Sequence, residues 1–246
     1  MRMPDQTLTI DAVIAGRAVP RDEVLAWEAE RLPKAARKIG LPVPAGDLAR
    51  QRTAFADAKL ALGADDVRRR LARDIRAAGV VARASTQLSF GRRATSVCDL
   101  YVTGGSAAAF VEWFTAAERD DYAHSMIAAN PDHFLIDTAA DGRQEVVETT
   151  GGSPLATQFF VDYDDTSPLV TPRDTAFPVE AAGVARTGSG LAIGGVRHEF
   201  RDEANGFHAR LCVEFPWLTA PYMIAQHRWH LACEFGNWIT AAFAHR

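Results

Sequence analysis

The run from Thr219 to Ala244, TAPYMIAQHRWHLACEFGNWITAAFA, decides how the rest of the chain is read. Thr219 can cap a helix, and Pro221 falls in the first turn, where its missing N–H is no loss. Residues 222–244 then continue with Gly236 as the single weak point. The helix this predicts is apolar nearly all round, diluted only by Gln226, Arg228, Asn237 and Thr240. A helix of that kind is buried on both sides. Its cover is expected from the N-terminal helices or from a second subunit, which would make a homodimer.

Upstream of it the pattern is that of strands. Segments at 133–137, 144–149, 157–163, 191–200 and 207–215 carry β-branched and aromatic residues, and several end in Gly, Asn or Asp turns. Residues 164–190, with Pro168, Pro172 and Pro178, read as a long loop that could cover a pocket. Ser106–Ala129 reads as one helix with an apolar front of Ala109, Phe110, Trp113 and Phe114, broken by Asn130-Pro131. Further strands are expected at Val80–Arg83, Thr86–Ser89 and Ser96–Val102. Before Gly79 come helices over 21–39, 45–62 and 65–78, and before those an irregular arm over 1–20 with an apolar stretch from Ile10 to Ile14. The class is therefore α+β. The architecture expected is a helix-grip (START-like) antiparallel sheet wrapped on the last helix, with a cavity between them. The division expected is an N-terminal helical extension over 1–79 and a metal-binding catalytic domain over 80–246.

A chain of 246 residues can bury a sizeable core without staples. Hydrophobic residues make up 48% and the net charge is −4, so the totals offer no basic footprint for nucleic acid or a membrane. Cys98, Cys212 and Cys233 form no CxxC, which suits free thiols in a reducing, cytoplasmic setting. The first residues lack the apolar core of a signal peptide, and no stretch reaches about 18 uninterrupted apolar residues.

The sharpest local signal is His230-Leu-Ala-Cys-Glu234. Side chains four apart on a helix share a face, so imidazole and carboxylate can converge on one ion. Met223, His227 and Trp238 extend the same stripe. The plainer alternative is an internal His–Glu hydrogen bond. His133 follows the Asn130-Pro131-Asp132 break, and Glu148 stands in an apolar strand that a carboxylate does not enter without a partner. Each alone also fits a surface turn or a sheet edge. Together His133, Glu148, His230 and Glu234 make an N2O2 set suited to zinc, or else manganese or iron.

Three stretches carry a family resemblance: Phe110-Val-Glu-Trp113-Phe with Tyr122 and Asn130-Pro-Asp-His133; Val147-Glu148-Thr-Thr-Gly-Gly152; and His230-x-x-x-Glu234 with Asn237. In this order, over roughly residues 105–240, they resemble the diacetylphloroglucinol hydrolase and phloretin hydrolase family. The resemblance implies a helix-grip fold, zinc held by His133, Glu148, His230 and Glu234, and hydrolysis of the carbon–carbon bond joining an acyl group to a phenolic ring. The partner implied is a small aromatic ketone. The chain departs from the family in a shorter span between the first two ligand motifs and in residues 206–217, so the substrate pocket is expected to differ.

Tyr122 and His198 are the candidates to hold phenolic oxygens or move a proton, with His227 beside the ligands. Trp113, Asn130 and Trp238 are assigned to the substrate. No G-x-S-x-G elbow is present, and the glycines of 183–195 lack dinucleotide-site spacing. Cys233 lies about 100° off the ligand stripe and is not expected to act as a nucleophile. The competing functions are an aromatic polyketide cyclase or dehydratase, working by acid and base without metal, and a non-catalytic carrier of apolar ligands.

Overall fold

In a computed structural model, residues 8–139 and 141–244 are described; the first seven positions of the expected arm lie outside them. The chain runs β1 (Thr9–Ile14), β2 (Arg17–Val19), α1 (Arg21–Ile39), α2 (Leu48–Leu62), α3 (Ala64–Arg70), α4 (Ala72–Leu88), β3 (Arg93–Thr103), α5 (Ala107–Thr115) and α6 (Tyr122–Ala128). It continues with β4 (His133–Thr138), β5 (Gln144–Glu148), β6 (Thr157–Asp162), β7 (Val179–Arg186), β8 (Ala192–Glu203), β9 (Gly206–Pro216) and α7 (Pro221–Phe243). The strands form one sheet in the order β2-β1-β3-β9-β8-β7-β6-β5-β4, with antiparallel neighbours throughout. The α+β class and the long C-terminal helix are as the sequence predicts.

Two apolar clusters hold the elements together. The larger joins sheet, α5 and α7 through Phe110, Phe200, Phe207, Leu231 and Phe235. The smaller packs Leu32, Ile39, Phe55 and Val67 of the first helices against Phe134 and Val147 of β4 and β5. Helix α7 thus lies between the sheet and the chain's own N-terminal helices. Gly236 fits this arrangement: a Cβ there would stand 2.4 Å from Arg21 Nη1. Its absence admits the Arg21 guanidinium, which donates to Asn237.

Several local expectations are corrected. Val80–Arg83 and Thr86–Ser89 are not strands, because α4 runs from Ala72 to Leu88. Gly79 and the β-branched residues cost a helix only about 1 kcal/mol each or less, and the alanines around them favour it. Ser106–Ala129 is two helices, with Arg119 donating to the Trp113 carbonyl at 3.1 Å where α5 ends. The supposed loop 164–190 contains β7, and none of residues 164–178 lines the cavity. Instead the backbone N–H groups of Val170, Thr171 and Asp174 donate to Glu214 and Glu199 of the sheet. Within the arm, Thr9–Val19 is a hairpin at the sheet edge. Residue 79 lies inside α4, and β1 pairs along β3.

Candidate metal centre

Register brings the first two candidate ligands together: His133 opens β4 directly opposite Glu148, the last residue of β5. The chain then turns through one 3-10 turn, Thr150–Gly152, which packs on α7. Gly151 allows that approach. It has φ +56°, and a Cβ there would lie 2.3 Å from the Met223 carbonyl oxygen and 3.1 Å from His227 Cβ. The contact sets Glu148 beside His230 and Glu234, which project from the same face of α7.

Four side-chain atoms meet there. His133 Nε2 lies 3.2 Å from His230 Nε2, 3.0 Å from Glu234 Oε2 and 3.6 Å from Glu148 Oε2. His230 Nε2 lies 3.7 Å from Glu148 Oε2 and 3.4 Å from Glu234 Oε2. Donors placed tetrahedrally at about 2.0–2.2 Å from a small divalent ion stand about 3.3–3.6 Å apart. The separations of 3.0–3.7 Å fall around that range, with both histidine nitrogens near each carboxylate. The groups His133–His230–Glu234 and Glu148–His227–His230 are buried throughout, and each is compact enough to hold a metal ion.

The protonation pattern agrees. The Met126 carbonyl, 3.0 Å from His133 Nδ1, can only accept, so Nδ1 carries a hydrogen and Nε2 is the nitrogen that could bind an ion. Glu148 keeps its other oxygen on the Thr150 hydroxyl at 2.9 Å. Burial opposes charge on His230, yet the Glu148 and Glu234 carboxylates outweigh it and raise its pKa to about 9. Burial likewise opposes charge on Glu234, and His230 and His133 still hold it far below the usual carboxylate range. Two carboxylates facing two ring nitrogens in a desolvated space call for positive charge at the centre.

The cluster lies at the wall of a cavity of about 480 Å³ between the sheet and α7. His198 and His227 also line it, as do Trp238 and Phe114. Burial lowers His198 to about 4, and its Nδ1 has no partner among the described residues. His227 is pushed well below its ordinary value by burial and by His230, on which its ring stacks at 5.2 Å. Its Nδ1 is 3.1 Å from the Ser96 hydroxyl. Trp238 stacks on His133 at 5.7 Å and donates to the Ser125 carbonyl.

Other candidates are placed elsewhere. Tyr122 stands outside the lining; its hydroxyl accepts from Gln144, which does line the cavity. Trp113 packs on Phe110 under Arg119. Asn130 is buried beneath the site, accepting from the Asp132 N–H and reaching the His230 carbonyl at 3.4 Å. The cysteines are free and buried, and burial raises Cys233 well above its ordinary value.

Sequence reasoning missed the groups that brace the ligand turn. Lys59, buried on α2, donates to the carbonyls of His133 at 2.6 Å and of Ile127 and Pro131 at 3.4 Å. Arg31 grips Asp132 with two hydrogen bonds of 2.8 and 2.7 Å, and Thr149 donates to the same carboxylate. Asp132 beside a candidate ligand histidine was the one visible cue.

No family model matches the chain, and neither does any curated protein.

Proposed function

We propose that the protein is a zinc-dependent hydrolase that cleaves the carbon–carbon bond between an acyl group and a phenolic or polyketide-type ring. The observation that carries this reading is that His133 and His230 each lie within 3.7 Å of both Glu148 and Glu234 at the wall of an apolar cavity. Two nitrogens and two oxygens are a donor set that suits zinc, and the expected helix-grip architecture would provide such a cavity between sheet and last helix. The ring-binding assignment comes from the sequence resemblance. The apolar lining is consistent with it.

A bound zinc ion supplies Lewis acidity toward a ketone oxygen and toward water. The overall reaction adds water across the acyl–ring bond: oxygen joins the acyl carbon, the bond's electron pair goes to the ring carbon, and that carbon takes a proton. The chain's own residues orient and desolvate. Trp238 and Phe114 hold the ring against an apolar wall. His198 and His227 are neutral at physiological pH, so they serve as hydrogen-bond partners of phenolic oxygens rather than as cationic acids. Gln144, held by Tyr122, offers a further polar contact at the wall.

The test is elemental analysis of the purified protein alongside turnover of a panel of acylated phenols and β-diketones. About one zinc per chain is expected, with turnover lost on chelation and restored on adding the metal back. Turnover by a metal-free preparation would transfer the assignment to acid–base cyclase chemistry. Metal and ligand binding without turnover on any member of the panel would count for a carrier.

A further inference from the structure

The second half of α4 presents an apolar stripe with no cover. Ala77, Val80, Val81, Ala84 and Leu88 follow the spacing of one helical face, and all are exposed. At the end of the helix Phe90 is 85% exposed and has φ +49°, a left-handed conformation that an aromatic residue rarely keeps. The β9–α7 connection lies alongside. Leu218 N donates to Ser89 Oγ at 3.2 Å, Trp217 N donates to the Arg92 carbonyl at 3.1 Å, and the Arg92 guanidinium covers the Trp217 ring. Leu218, Tyr222 and Val81 are half-exposed and also line the cavity, so this apolar surface is the cavity's rim.

Its charge is one-sided. Residues 75–98 and 216–223 contain no Asp or Glu, although the chain as a whole has net charge −4. Arg73, Arg76, Arg83 and Arg92 form no ion pair with a carboxylate among the described residues. We propose that this rim docks on an anionic lipid surface, from which an apolar substrate passes directly into the cavity. Apolar side chains and amphipathic rings suit the headgroup boundary, and arginines flanking them suit anionic headgroups. Among the described residues no helix is long and apolar enough to cross a membrane, so the contact is made at the surface. A second copy is a poorer occupant. Two-fold pairing of this face would set arginines against arginines, with no carboxylate in either segment to receive them. The inference stands whether or not a metal binds.

The experiment is co-sedimentation of the full chain with phosphatidylcholine vesicles with and without phosphatidylglycerol, at low and high salt. Binding is expected only to the anionic vesicles, falling as salt rises. Arg76→Gln and Arg83→Gln should each weaken it about fivefold. Leu88→Ser and Phe90→Asn should weaken it at every salt concentration while leaving the thermal midpoint unchanged or higher. Absence of binding to anionic vesicles overturns the proposal, as does equal binding by all four variants. It is also overturned if sedimentation velocity shows a dimer that Leu88→Ser and Phe90→Asn convert to monomer, since a second copy then covers the face.

Discussion

Glu234 is both a candidate ligand and a charge partner of two histidines, with His133 Nε2 at 3.0 Å and His230 Nε2 at 3.4 Å. Glu234→Ala is therefore predicted to abolish turnover together with stoichiometric metal, as read by elemental analysis on protein shown to be folded by circular dichroism. Tyr122→Phe provides the contrast. Its hydroxyl accepts from Gln144 behind the cavity wall, so the expected loss is under about tenfold, below the 10²- to 10⁴-fold typical of a positioned acid or base. A second prediction concerns pH. His198 is buried and lowered to about 4, so between that value and its unfolded value of about 6.5 the unfolded chain binds more protons. The stability this gives the neutral ring is complete above about pH 6.5 and is lost as pH falls toward 4, amounting to about 2 kcal/mol by pH 5. Metal-stripped wild type should lose that much more than His198→Gln between pH 7.5 and 5 in urea titrations; equal losses would refute the assignment. The clustering of the candidate ligands was legible because a shared site leaves spacing in the sequence: four apart on a helix, or a carboxylate stranded among valines. Lys59 was not legible, since one lysine in an alanine-rich helix looks solvated until the fold brings three carbonyls to it.

At the scale of elements, the site depends on how closely the turn after β5 approaches α7. Gly151 and Gly152 both have positive φ, at +56° and +67°, so alanine at either costs about 1–2 kcal/mol of backbone strain. Only Gly151 adds a collision, with a Cβ 2.3 Å from the Met223 carbonyl; at Gly152 the nearest atom is a guanidinium nitrogen at 3.4 Å. Gly151→Ala is thus predicted to destabilise by about 3 kcal/mol or more and to weaken metal binding by withdrawing Glu148. Gly152→Ala should cost about half as much and leave metal affinity within a few-fold. Chemical denaturation and competitive chelator titration measure the two effects, and identical behaviour of the variants would show that the approach to α7 is not limiting. The Gly-Gly pair was visible in the sequence, but the carbonyl facing it belongs to another element. The misread of α4 has a similar origin. Val80, Val81 and Thr86 favour strands locally, whereas the helical register they share with Ala77 and Ala84 is decided over a longer span.

Across the whole molecule, residues 8–79 are built into the sheet and packed against the site. β1 pairs with β3 from Thr9↔Thr103 to Ile14↔Cys98. Leu32, Phe55 and Val67 cover Phe134 and Val147, and Arg31 and Lys59 fasten the turn that carries His133. Sequence alone had no means of showing this, because the contacts join residues 101 and 216 positions apart: Arg31 to Asp132, Arg21 to Asn237. The division at residue 79 can be tested directly by expressing residues 80–246 alone. That fragment would begin inside α4, leave the β3 edge unpaired along six register positions, and expose the apolar faces of β4 and β5. Burying one large apolar side chain contributes about 1.5–3 kcal/mol, and the three lost at Leu32, Phe55 and Val67 alone approach the 5–15 kcal/mol that holds a domain together. Removing Lys59 further leaves the carbonyls of Ile127, Pro131 and His133 without their buried donor, at about 1–3 kcal/mol each where water cannot replace it. The fragment is therefore predicted to aggregate, or to lack cooperative unfolding and bind no stoichiometric metal, whereas the intact chain unfolds in one transition that shifts upward with added zinc. A soluble fragment that melts cooperatively and retains one metal per chain would instead make residues 1–79 an appendage.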